Sequence, residues 1–110
     1  MKPYYQPEDL KKFGDITRVN KALGDKYFDY YNSVMAGGVL SEREKALIAL
    51  AVAHAMKCPY CIDAYSQACL EKGADEEQMS EAVHVAAAMV AGITLVHSVQ
   101  MMNHIDDKML

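Results

Sequence analysis

Apolar positions recur at three- and four-residue spacing through most of the chain, and no stretch alternates with a period of two. That pattern predicts an all-α protein. An extended lead passes into a short helix over Pro7–Phe13, which Gly14 breaks. Asp15 is placed to cap a second helix carrying Ile16, Val19, Leu23, Tyr27, Tyr30 and Tyr31, ending at Gly37-Gly38. Its aromatic side chains are predicted to cover the apolar surface of the later helices. Ser41-Glu42-Arg43-Glu44 forms a capping box that opens a helix from Lys45 to Met56. This helix is apolar nearly all round, which predicts burial on several sides, against another subunit as well as its own.

A further helix runs from the Cys58-Pro59-Tyr60-Cys61 stretch to Gly73, a residue suited to a left-handed C-terminal stop. Asp75-Glu76-Glu77-Gln78 starts the next one in the manner of a capping box, with Met79, Ala82, Val83, Ala86, Ala87 and Val90 on its inner face. Gly92 is expected to kink or end it. A last helix is predicted from Ile93 to Met102, leaving residues 103–110 as a polar, frayed tail. The chain reads as one domain, 1–110, with a helical core over about 38–102 behind an N-terminal helical lead, 1–37.

Composition narrows the function classes. Hydrophobic residues at 52% and charged residues at 24% suit a globular domain. A net charge of −4 without any basic run argues against nucleic acid or an anionic membrane as partner. The longest apolar stretch, Val85 to Val96, is too short to span a bilayer. Three cysteines, with no apolar leader ahead of them, point to a cytoplasmic thiol protein rather than a disulfide-stapled secreted one.

The chemistry gathers at Cys-x-x-Cys. Cys58 falls at a helix N-cap, Pro59 at the first helical position and Cys61 at the third. Unpaired backbone N–H groups and the positive end of the macrodipole stabilise a thiolate there, and such thiols have pKa values of about 3.5 to 7.5. This makes Cys61 the expected nucleophile, with Cys58 in reach to form a disulfide. A zinc site would need a second ligand pair, and haem attachment would need His where Ile62 stands. Without strands there is no thioredoxin fold. Two inert core cysteines are the bland alternative, and the helix-start position with its proline favours a redox dithiol over it. No cofactor and no resident metal are implied.

The run from Ser41 through Ala53, then Cys58-Pro59-Tyr60-Cys61 and Gly73-Ala74, resembles the alkylhydroperoxidase D-like part of the carboxymuconolactone decarboxylase family, over roughly residues 38–100. Lys2 to Asp15, Cys58 to Asp63 and Val96 to Asn103 further resemble a subgroup described as arsenosugar-biosynthesis-associated peroxidase-like proteins. The resemblance implies a helical bundle that assembles into homo-trimers or hexamers. It also implies reduction of hydroperoxides, or disulfide exchange, with an external dithiol or thiol protein as reductant. Carried over, Cys61 attacks the peroxide and Cys58 resolves it. Nothing beyond the shared fold recommends lactone decarboxylation.

The family's proton relay is altered. The glutamate usual twelve residues before the first cysteine is Ala46 here, and the histidine four residues after the second is Tyr65. Glu44 lies about 200° round the helix from position 46 and is already explained as a cap. His54, four residues before Cys58 on an apolar helix, is the expected replacement alongside Tyr65; His84 is a second candidate, although a lone histidine is more often a satisfied core residue. His97 and His104 read as surface or interface residues. Cys69 reads as a core residue, or else as a third soft ligand beside Cys58 and Cys61 in a module that binds a thiophilic metal or metalloid without turnover. The Met101-Met102 pair reads as core or interface filler.

Overall fold

The computed structural model describes residues 3–109, so Met1, Lys2 and Leu110 lie outside the described residues. A 3₁₀ helix over Pro7–Thr17 is followed by five α-helices: α1 Lys21–Met35, α2 Glu42–Ala55, α3 Pro59–Glu71, α4 Glu76–Val96 and α5 Ser98–Met109. No strand occurs among the described residues. The all-α expectation holds.

Both predicted capping boxes form. Ser41 Oγ accepts the Glu44 N–H at 3.0 Å while the Glu44 carboxylate takes the Ser41 N–H at 2.9 Å. Asp75 and Gln78 exchange the equivalent bonds at 2.8 and 3.1 Å. Two such closures satisfy N–H groups that the first turns would otherwise leave without partners. Gly73 has φ +88°, the left-handed stop its position predicted. Lys57, at φ 55°, makes the other sharp turn, between α2 and α3.

Three boundaries differ from the expectation. The first helix runs on through Gly14 to Thr17 because it is of the tighter 3₁₀ type, with the Thr17 hydroxyl bonded to the Gly14 carbonyl at 3.0 Å. Asp15 therefore caps nothing; Asn20 does, its side chain accepting the Leu23 N–H at 3.1 Å. Gly92 does not end α4: one glycine costs a helix about 1 kcal/mol, and the Ala, Val and Met residues around it carry the helix past. The break comes at His97, where Ser98 Oγ donates to the Leu95 carbonyl at 2.6 Å, and α5 then continues through the expected frayed tail.

The core lies where α2 packs against α3 and α4. Ala46, Leu50, Cys69 and Ala74 form its buried centre, with Leu50 1% and Cys69 0% exposed, and Leu47, Tyr65, Met79 and Val83 pack around it. This is a small core. The radius of gyration is 19.0 Å, against about 13 Å for a compact chain of this length. The excess comes from the α4–α5 rod, whose Val85, Met89, Ile93, Leu95 and Val96 are all more than half exposed. Because Gly92 does not interrupt it, the segment Glu76–Lys108 is long and apolar enough to cross a membrane, which the shorter stretch inferred from sequence was not.

Leu50→Ala should lower unfolding stability by about 2–5 kcal/mol, read as a drop in urea midpoint at unchanged slope. A loss under about 1 kcal/mol would mean that the core does not centre on α2.

Candidate active site

The turn at Lys57 ends α2 and aims the chain into α3, so that Cys58 is the α3 N-cap and Pro59 occupies the first turn, where its missing N–H is not needed. Cys58 Sγ accepts the Cys61 N–H at 3.3 Å, and the two sulfurs stand 2.7 Å apart. The pair is held in place from outside by the N-terminal lead. Tyr5 donates to Asp63 at 2.6 Å, Tyr60 donates to the Tyr4 carbonyl at 3.1 Å, and the Tyr5 and Tyr60 rings meet edge-on at 4.7 Å. The Asp63 carboxylate pushes the Tyr5 hydroxyl up to about 12, and Tyr5 in turn lowers Asp63. Sequence reasoning missed this strap, since no short-range pattern links residues 4–9 to residues 60–63.

The two sulfurs are not equivalent. The hydrogen bond between the two thiols and the backbone N–H groups of Cys61 and Tyr60 lower the Cys58 thiol below its ordinary value. Burial, followed by the bond to Cys58 and its charge, pushes Cys61 up to about 11. The sequence favours Cys61 as the stabilised thiolate, whereas the helix-start N–H is bonded to Cys58 Sγ. An N-cap side chain is the group that accepts the third residue's N–H, so the helix start serves the sulfur of Cys58. Cys61 Sγ instead lies over the first turn of α3, where it is desolvated.

Both sulfurs open into a cavity of about 660 Å³ walled by α2 and the end of α1. Tyr65 lines it beside them and shares a hydrogen bond with Tyr31 of α1. Burial and that bond raise the Tyr65 pKa, so its hydroxyl keeps its proton at neutral pH. Tyr31, read from sequence as a covering aromatic, thus holds the hydroxyl of Tyr65, a residue of the cavity wall.

His54 is not in this cavity. It lies on the other side of α2, in grooves lined by Tyr5, Pro59 and Ile62 and by Val83 and Ala86, and its Nδ1–H donates to the Leu50 carbonyl at 2.9 Å. His54 stands about 200° round α2 from Val52, which lines the cavity, so its side chain faces away from the dithiol. His84 and His97 are exposed on the α4–α5 rod, and His104 is exposed on α5. Cys69 sits wholly buried in the core, two turns along α3 from Cys61, its thiol raised by burial. No group of three or more His, Cys, Asp or Glu side chains suited to a metal ion occurs among the described residues, so the three-thiol ligand set does not assemble.

With this geometry in view, comparison with known proteins identifies the class. The profile of the carboxymuconolactone decarboxylase family matches residues 21–103, and the chain belongs to that family. A Paracoccus denitrificans protein, described as uncharacterized protein 4 in the cox locus, is 37% identical over 92 residues, covering 84% of this chain and 83% of its own. A crystal structure of a protein from Methanobacterium thermoautotrophicum superposes with a TM-score of 0.74 at 28% identity, covering 78% of this chain and 97% of its own. Neither match bears on the arsenosugar-associated subgroup.

Cys61→Ala removes the thiol that is hydrogen-bonded to Cys58, so the midpoint of Cys58 alkylation by iodoacetamide should move up towards the free-thiol value of about 8.5. An unmoved midpoint would show that Cys61 does not stabilise the Cys58 thiolate.

Proposed function

We propose that the protein is a dithiol oxidoreductase that reduces hydroperoxides through Cys58 and Cys61. The observation that carries this reading is the pair itself: two sulfurs 2.7 Å apart at a helix N-terminus, in the wall of an apolar cavity. Family membership supports it, since the family includes alkylhydroperoxidase-like proteins.

The helix-start N–H that Cys58 Sγ accepts favours Cys58 as the attacking sulfur. Each unit of raised pKa cuts the thiolate fraction tenfold but gains only about threefold in intrinsic nucleophilicity, so the lower-pKa member leads. The Cys58 thiolate attacks the terminal oxygen of R–OOH; the O–O bond breaks, Cys58 becomes a sulfenic acid, and the alkoxide takes up a proton to leave as R–OH. Tyr65, still protonated and in the same cavity, is a donor to that developing alkoxide. The Cys61 thiol then displaces hydroxide from the Cys58 sulfenic sulfur, the pair closes as a disulfide, and water departs. An external dithiol or thiol protein restores both thiols by exchange. This order reverses the one implied by the family resemblance, and the reason is the N-cap bond at Cys58.

The exposed apolar rod of α4 and α5 supports a homo-oligomer, a trimer or hexamer, since soluble monomers rarely expose contiguous apolar surface on that scale. The same burial on partner helices accounts for the rod without a membrane and fits a cytoplasmic protein.

A free-thiol count before and after one equivalent of tert-butyl hydroperoxide tests the reading. Wild type should lose two thiols, regained with dithiothreitol. Cys61→Ser should stop at one, trapped as a sulfenic acid by dimedone, and Cys58→Ser should react far more slowly. Cys58→Ser reacting at the wild-type rate would return the attack to Cys61. No loss in wild type would overturn the peroxidase reading.

A further inference from the structure

The cavity has a direction. Its floor is one face of α2, where Lys45, Ile48, Ala49, Val52 and Met56 succeed one another at helical spacing. From position 45 to position 56 the helix rises about 16 Å at about 1.5 Å per residue. Cys58, Cys61 and Tyr65 stand at the Met56 end, while Val34, Met35 and Leu40 wall the Lys45 end. Between the two ends the lining is aliphatic, and Lys45 is its sole charged side chain.

Lys45 is fixed in position. Its ammonium donates to the Val34 and Ala36 carbonyls, each at 2.6 Å, at the point where α1 ends. Those two bonds use two of its three N–H donors and leave one for a ligand. The resulting groove has a cation at one end, a peroxide-reactive dithiol at the other, and an apolar path between them. We infer that it binds a long-chain carboxylic acid bearing a hydroperoxide, with the carboxylate at Lys45 and the hydroperoxide group at the dithiol. This names the substrate class for the peroxidase reading and rests on it. One remaining N–H with no second charged donor suits a monoanionic carboxylate, whereas a phosphate would be left short of partners.

Binding of non-reactive chains separates this inference from the reaction. Wild type should bind dodecanoate about tenfold more tightly than dodecan-1-ol, the effect of one charge-assisted contact. In Lys45→Met that ratio should fall close to one, while Lys45→Arg should keep most of it; dodecan-1-ol binding reports that the groove is intact in each variant. Equal affinities in wild type, or a preference untouched by Lys45→Met, would overturn the inference. So would failure of both chains to bind alongside an oligomer that Val52→Asp dissociates, because the groove would then be a subunit contact. Consumption of tert-butyl hydroperoxide without a dodecanoate preference leaves the peroxidase reading standing and removes this inference. A dodecanoate preference without peroxide consumption does the reverse.

Discussion

The bond from the Cys61 N–H to the Cys58 sulfur is the contact on which the site depends. It satisfies one of the helix-start donors of α3 and sets the two sulfurs side by side. A Ser or Asp at the cap would close the helix equally well. Using a thiol there couples the folding of α3 to the chemistry of the pair. The turn at Lys57 and the strap from Tyr4 and Tyr5 hold that helix start against α2, so the pair's position is set by packing on both sides.

The altered relay acquires a physical meaning in this setting. Without a carboxylate at position 46 or a histidine at position 65, no base faces Cys61 from within the cavity. Its thiol is desolvated and keeps its proton. Cys58, served by backbone donors, needs no such base. Tyr65, bonded to Tyr31, supplies a protonated hydroxyl, which suits a leaving oxygen rather than a thiol that must be deprotonated.

Much of the fold was legible because the signals were local. Two capping boxes, the Gly73 stop and the Pro59 start each act within four residues, and each formed as the pattern predicted. The misplaced boundaries at Gly14, Asp15 and Gly92 share one cause: weak breakers were overruled by neighbours with stronger preferences. Within the site, the positions of Cys58, Cys61 and Tyr65 were legible from spacing. The role of His54 was not, because closeness in sequence says nothing about which side of α2 a residue faces. Tyr31, the Tyr5–Asp63 contact and the Lys45 anchor are long-range or side-chain-to-backbone contacts without a sequence signature.

The most direct test is to track the ¹³Cβ shifts of Cys58 and Cys61 through a pH titration of the reduced protein. Cys58 should titrate first, with a midpoint below that of a free thiol, and Cys61 well above it. Cys61 titrating first would contradict the account and place the reactive thiolate one turn further along α3.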